Sequence, residues 1–180
     1  MNEPSTLFET RRLTVRRLTI DDVDALLSVY GDVEGMRFVG DGLPLQRDDC
    51  ARWVVVTERN IAERGYGMSV IVDREDGGLV GFCGLVHPGG QEEAELKYAL
   101  HRSRWGDGLA SEAARGTVAW GRRVFGMSRV IATVAAGHDA SIRVLQKCGF
   151  TQESERVAED GSRTLVMAWH GSHADDPSSA

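Results

Sequence analysis

Apolar and polar residues alternate from Leu13 to Leu18, the period of a half-buried β-strand. The spacing then changes. Ile20, Val23, Leu26, Leu27 and Tyr30 recur at helical intervals, which predicts an amphipathic helix. Thr19 can cap this helix, and Asp21 and Asp22 sit favourably in its first turn. Residues 31–45 contain five Gly and Pro residues and read as a loop with room for one short helical turn. A second helix fits Asp48 to Glu63 and stops at Gly65 and Gly67. Met68–Val72 and Leu79–Val86 are apolar or β-branched runs on either side of Asp73-Arg-Glu-Asp-Gly-Gly78, the pattern of a hairpin. Pro88-Gly-Gly90 turns the chain into a strand from about Glu93 to Leu100. Between Gly108 and Phe125 a stripe of Ala110, Ala113, Ala114, Thr117, Val118, Gly121 and Val124 predicts a long helix, with Glu112, Arg115, Arg122 and Arg123 opposite and Gly126 as its cap. Val130–Val134 reads as a short buried strand, and Asp139 as the N-cap of a helix closed by Gly149. Phe150–Val157 and Thr164–Trp169 are the last strands, turned by Asp160-Gly-Ser162. The polar residues 171–180 are expected to be disordered.

This order is strand-rich with helices both early and late. It predicts an α+β (mixed α/β) fold, one domain over residues 1–170, with a mixed sheet of about six to seven strands flanked by helices. Composition agrees: 42% hydrophobic and 27% charged residues suit a soluble globular domain. The net charge of −6 argues against nucleic acid as a partner, so any anionic ligand has to be held by local donors. Cys50, Cys83 and Cys148 match no zinc spacing and lie among apolar neighbours, as reduced, buried thiols would. No apolar stretch reaches the length of a membrane span, and Met1 to Thr6 lacks the pattern of a signal peptide. A cytoplasmic protein is expected. The five histidines show no metal-ligand spacing among themselves, so no metal is expected.

The segment with most chemistry is Glu95-Leu-Lys-Tyr-Ala-Leu-His-Arg-Ser-Arg-Trp105-Gly-Asp-Gly-Leu-Ala-Ser-Glu-Ala113. An alternating strand runs into a glycine-paired turn that opens a long helix. Backbone N–H groups at Gly106, Gly108, Leu109 and Ala110, together with the positive end of the helix dipole, form a site for a phosphate or pyrophosphate. Glycine at positions 106 and 108 lets the backbone approach a ligand closely. A Rossmann fingerprint is a poor fit, since it needs Gly where Ser111 stands and an acidic residue after Val130–Val134. Asp107 is unfavourable beside phosphates unless turned to solvent, with Arg102 and Arg104 available to offset it.

A second signature follows at His138-Asp-Ala-Ser141-Ile-Arg-Val-Leu-Gln-Lys-Cys-Gly149-Phe150. Together the two resemble the core of the GNAT superfamily of acetyl-CoA-dependent N-acetyltransferases, and within it the ribosomal-protein N-terminal (RimJ/RimL-like) branch. The resemblance spans about residues 8 to 170. It implies a mostly antiparallel sheet in which two adjacent parallel strands, here around Glu95–Leu100 and Val130–Val134, splay apart around the pantetheine arm of acetyl-CoA. The turn from Trp105 through Gly106, Asp107, Gly108 and Leu109 to Ala110 would hold the pyrophosphate. His138, standing where the family usually has Asn, would touch pantetheine, and Arg143, with Lys147, would meet the remaining phosphate.

Resemblance also implies Glu95 as the general base, with Glu93 as substitute, and Ser141 as hydrogen-bond or proton donor to the departing sulfur. Strict alternation puts Lys97 on the face of Glu95, where its ammonium would lower the carboxyl pKa. A bulge common to this strand in the family would turn the two apart. Tyr98 shares a face with Ala94, Leu96 and Leu100 and reads as core. The implied reaction is acetyl transfer to a primary amine, either a protein N-terminus or a small molecule, by a monomer or homodimer. The loop of residues 31–45 would form part of the acceptor pocket, with Arg37, Phe38 and Trp53 as candidates for its wall. The alternative reading is a catalytically weak acyl-CoA-binding sensor.

Overall fold

A computed structural model describes residues 5–40 and 42–171, so the disorder expected of the tail falls outside the described residues from 172 onward. Eight strands form one sheet in the order β1-β2-β3-β4-β5-β6-β8-β7. They are β1 (Thr6–Glu9), β2 (Leu13–Arg17), β3 (Met68–Asp73), β4 (Leu79–Val86), β5 (Glu95–Leu100), β6 (Arg129–Ala135), β7 (Thr151–Val157) and β8 (Arg163–His170). The helices are α1 (Val23–Tyr30), α2 (Val33–Met36), α3 (Arg47–Arg64), α4 (Leu109–Phe125) and α5 (Asp139–Lys147). The count exceeds the six to seven strands expected because β1 is too short to show a period. It is held as an edge strand by antiparallel pairing with β2.

Every neighbouring pair is antiparallel except β5–β6. Side chains alternate across the sheet. Val70, Phe82, Val86 and Ala99 point to one face, where α1 and α3 close a core with Leu26, Tyr30 and Val54. Leu85, Leu96, Val130, Ala132 and Val134 point to the other, under α4 and α5. The β4–β5 register pairs Val86 with Glu95 and Gly84 with Lys97, which puts both charged residues on the α1–α3 face. Tyr98, opposite Cys83, lies on the α4–α5 face.

Helix α4 buries Leu109, Ala113, Ala114, Thr117, Val118, Trp120 and Gly121. The stripe read from sequence included Val124, which is 52% exposed. Trp120 takes that place in the core, packing edge-on to Phe125 with ring centroids 5.0 Å apart. All three cysteines are free and buried. Among the described residues no helix is long and apolar enough to cross a membrane.

Candidate active site

The parallel pair is joined at a single register position, Glu95 opposite Ile131. The Ile131 amide donates to the Ala94 carbonyl at 2.9 Å, and beyond that point the strands part. In a continued parallel ladder the Thr133 amide would donate to the carbonyl of Leu96. It donates instead to Oε1 of Glu95 at 3.1 Å. The splay implied by resemblance is thus present, and the Glu95 carboxylate stands where the ladder ends.

Glu95 is buried and fully engaged. Its Oε1 also accepts from the Thr133 hydroxyl and lies 2.5 Å from the Lys97 ammonium. Oε2 accepts from the side-chain amide of Gln91 at 3.2 Å. Lys97 in turn donates to the Thr133 hydroxyl at 2.9 Å. The expected bulge is absent: β4 and β5 pair without a shift from Gly81–Leu100 to Val86–Glu95, so Glu95 and Lys97 meet rather than turn apart. Burial pushes the Glu95 carboxyl upward, but the charge and hydrogen bonds of Lys97 and the two bonds from Thr133 outweigh it. The net pKa lies below the ordinary value of 4.5. Glu93 precedes β5, is exposed and pairs with Arg129 at the start of β6, so it is not placed to substitute for Glu95.

After Leu100 a short 3₁₀ turn over Arg102–Arg104 leads to the glycine turn. Gly106 and Gly108 both have left-handed backbones, with φ of 90° and 76°. Among the described residues, chain neighbours apart, no atom lies within 4 Å of where a Gly106 Cβ would project, and at Gly108 only an Arg12 nitrogen comes as near as 3.9 Å. The positive φ is therefore what demands glycine within the fold, and the space in front of the turn is open. Gly108 is the N-cap of α4, and no side chain caps the helix. The first helical bond of the turn runs from the Glu112 amide to the Gly108 carbonyl at 3.1 Å, which leaves the Leu109, Ala110 and Ser111 amides without intrahelical acceptors.

The turn is braced from outside. Arg12 donates to the Asp107 carbonyl at 3.0 Å and pairs with Glu112 at 2.8 Å, and Glu112 also accepts from Thr10 at 2.7 Å. The Asp107 residue is exposed. Arg104 does not offset it as expected, because its guanidinium is committed to Asp73 at 2.5 Å. Arg102 lies 3.9 Å from Asp32 at the head of α2. The Trp105 indole donates to the Leu100 carbonyl at 2.9 Å, closing the end of β5. Arg143 and Lys147 are exposed on α5.

Ser141 lies in the first turn of α5, and its hydroxyl is 2.8 Å from that of Tyr98. Tyr98, read as core, thus reaches the second signature. Burial pushes its phenol up to about 12, although the Ser141 contact acts downward. The N-cap of α5 is His138 rather than the expected Asp139, which is the first helical residue. The imidazole stacks on Phe38 with centroids 4.5 Å apart and planes 14° apart. Burial holds its pKa below 6.5 against the upward pull of Asp139, so the ring is neutral at pH 7. The Arg37 guanidinium lies 5.3 Å from the Phe38 ring centroid. Trp53 packs edge-on to Tyr30 at 4.9 Å in the core and does not line this region.

Thr133 and Gln91 are the groups that sequence reasoning missed. Thr133 was findable, being the one hydroxyl in the apolar run Val130–Val134; Gln91 lies in a loop with no periodic signal. Among the described residues no group of His, Cys, Asp and Glu side chains could hold a metal ion. The geometry fits an extended thioester cofactor. Open, uncapped amides at the head of α4 suit a pyrophosphate, and the gap between β5 and β6 suits the arm that follows it.

Comparison with known proteins agrees with this geometry. The sequence pattern of the acetyltransferase (GNAT) domain matches residues 12–151. The uncharacterized N-acetyltransferase p20 of Bacillus licheniformis is 30% identical over 148 residues, covering 80% of this chain and 82% of the relative. Among solved structures, the ribosomal L7/L12 alpha-N-protein acetyltransferase RimL in complex with coenzyme A superposes with a TM-score of 0.78 at 17% identity, over 92% of this chain and 98% of the other. The spermidine N-acetyltransferase of Vibrio cholerae, in complex with CoA and spermine, gives 0.74 at 16% identity, over 89% and 96%. The chain belongs to the GNAT acetyltransferase family.

Proposed function

We propose that this protein transfers the acetyl group of acetyl-CoA to a primary amine, and that it does so in the cytoplasm. The observation that carries the reading is the sheet defect at Glu95. The gap between β5 and β6 has a buried carboxylate on the α1–α3 face and the Ser141 hydroxyl on the α4–α5 side, and β5 leads through the glycine turn to the uncapped head of α4. When bound, acetyl-CoA supplies the thioester. The amides of Gly106, Gly108, Leu109 and Ala110 hold its pyrophosphate, Arg143 the remaining phosphate, and His138 the pantetheine arm. Glu95 takes the proton of the attacking amine, directly or through water. Ser141 donates a hydrogen bond to the departing sulfur.

The α2 loop with Arg37 and the Phe38–His138 stack forms the acceptor wall in this reading. RimL and the spermidine enzyme act on a protein N-terminus and a polyamine by their names, and both acceptor classes remain compatible with it. Resemblance of the two signatures favours the RimJ/RimL-like branch. The sensor alternative rests on a specific observation, the Lys97–Glu95 ion pair, which makes Glu95 a weaker base than a free carboxylate.

One experiment separates the two. An amine panel covering N-terminal peptides, polyamines and amino acids is run with acetyl-CoA, and released CoA thiol is measured for the wild type and for Glu95→Gln. Loss of a general base typically costs about 10²–10⁴ in rate, so the enzyme reading expects turnover on at least one amine and a drop of that order in the variant. Acetyl-CoA binding without turnover on any amine would favour the sensor.

A further inference from the structure

We propose that Tyr98 is a positioning residue for acetyl transfer, fixing the direction in which Ser141 donates its hydrogen. The inference rests on the reading of Ser141 given above and adds a partner to it. The two hydroxyl oxygens are 2.8 Å apart, with either able to donate, and the phenol also has the Ser141 carbonyl as a more distant acceptor at 3.3 Å. A serine hydroxyl has one hydrogen and two lone pairs, and in a first helical turn it commonly donates back to the backbone. A phenol is the stronger acid of the two and the better donor, so Tyr98 donates along the shorter contact. Its proton occupies a lone pair of Ser141 Oγ and leaves the serine hydrogen free to point into the gap between β5 and β6.

Acidity decides whether Tyr98 also gives up its proton. The phenol is pushed up to about 12 by burial, whereas a thiol ionises near about 8.5. The phenol is thus a weaker acid than the departing thiol, so proton transfer from Tyr98 to the thiolate is uphill and Tyr98 acts as a hydrogen-bond donor. As the thioester C–S bond breaks, the electron pair goes to sulfur and is stabilised by the Ser141 hydrogen bond. The sulfur takes its proton from solvent, and the proton lost by the amine nitrogen goes to Glu95. Tyr98 remains a neutral donor across the working pH range, which is what a fixed orienting group requires. Neighbouring contacts agree with this role. Tyr98 packs beside the core under α4 and α5, and among the described residues its hydroxyl bonds to the Ser141 hydroxyl and carbonyl.

The test is a double-mutant cycle with Tyr98→Phe and Ser141→Ala, read as kcat and as KM for acetyl-CoA. Tyr98→Phe is expected to lower kcat roughly 5- to 20-fold with KM changed less than twofold. The double variant is expected to be no slower than Ser141→Ala alone. Multiplying losses, or a Tyr98→Phe kcat above half of wild type, would overturn the proposal. An unchanged kcat in Ser141→Ala would instead remove the reading of Ser141 beneath it. A second arm keeps the tyrosine: 3-fluorotyrosine placed at position 98 is a more acidic donor and a poorer acceptor, and should hold or raise kcat. A fall of more than twofold would show that Tyr98 accepts from Ser141, against the proposal. In the same protein without acetyl-CoA, the ¹⁹F resonance should shift on Ser141→Ala, and an unmoved resonance would count against the contact itself.

Discussion

Replacing Lys97 by Met tests whether the ion pair sets the state of Glu95. Methionine keeps the aliphatic stem and removes the ammonium. Breaking a buried pair by deleting one partner costs about 3–5 kcal/mol, because a charge is left buried and alone. Lys97 is 40% exposed while Glu95 is 2% exposed, so solvent already screens part of the interaction. Both Thr133 bonds and the Gln91 bond also remain. A loss of about 1–3 kcal/mol at pH 7 is therefore expected, or roughly 2–12 °C in Tm for a domain of this length.

The pH dependence gives the sharper test. In the wild type the folded-state pKa of Glu95 lies below 4.5, so the carboxylate contributes stability above that pH and loses it as pH falls through the folded value. Without Lys97 the largest remaining influence is burial, which raises the pKa. A raised carboxyl binds its proton more readily in the folded chain than in the unfolded one. The Tm deficit of Lys97→Met relative to wild type should therefore shrink between pH 7 and pH 4.5. The acid limb of the pH–rate profile should move upward over the same range. Thermal melts and rates measured on both proteins across that range decide the matter. A deficit that stays constant or grows on acidification would refute the electrostatic reasoning.

Gly108→Val places a β-branched residue at φ 76°, at a cost of at least about 1–2 kcal/mol, and its side chain enters the open space in front of the α4 amides. Calorimetry should find no acetyl-CoA binding to a variant whose circular dichroism remains that of the wild type; unchanged affinity would remove the pyrophosphate assignment. His138→Asn should hold acetyl-CoA affinity within about threefold, since an amide offers both a donor and an acceptor. It should raise KM for the amine about 2- to 12-fold through loss of the Phe38 stack, taken at about 0.5–1.5 kcal/mol. The wild type loses stability as pH falls from 6.5 towards the lower folded pKa of His138, because the unfolded chain takes up the proton first, and the Asn variant should lack that slope. A fall in kcat with amine KM unchanged would assign His138 to proton transfer instead.

Elements with a repeating environment were legible in the sequence. The strand Leu79–Val86 appears with the boundaries its β-branched run predicted, and α4 stops at Phe125, where Gly126 takes a left-handed backbone. β1 was not legible, because Thr6–Glu9 gains its stability from a partner strand rather than from its own pattern. The glycine turn could be read because conformation restricts residue type there. Contacts made by long side chains could not. Nothing in spacing indicates that Arg104 would turn back to Asp73, that Arg12 would brace the Asp107 carbonyl, or that Tyr98 would reach Ser141. Lys97 shows the converse. Alternation alone placed it beside Glu95, and the bulge inferred from resemblance was the misleading step.

The same alternation explains why the catalytic proposal needs no special element beyond the broken ladder. Ala94 bonds its carbonyl toward β6, so the carbonyl of Leu96 and both backbone groups of Tyr98 face that edge as well. A regular ladder would consume them. Here the Thr133 amide is diverted to the Glu95 carboxylate, which frees the Leu96 carbonyl, and the Trp105 indole takes the Leu100 carbonyl at the far end. What remains between those two stops is a short stretch of strand edge with donors and acceptors facing an extended, amide-bearing arm such as pantetheine. Its position fixes the rest of the arrangement. An arm lying there has the α4 amides at the β5 exit and the Ser141–Tyr98 pair on one side of the sheet. Glu95, whose carboxylate takes the Thr133 amide in place of a ladder bond, lies on the other. The residue proposed to take the amine's proton is thus also the one that ends the ladder. For that reason Glu95→Gln has to be judged against a melt: an amide can still accept from Thr133 and preserve the gap, whereas Glu95→Ala would confound lost chemistry with a closed sheet.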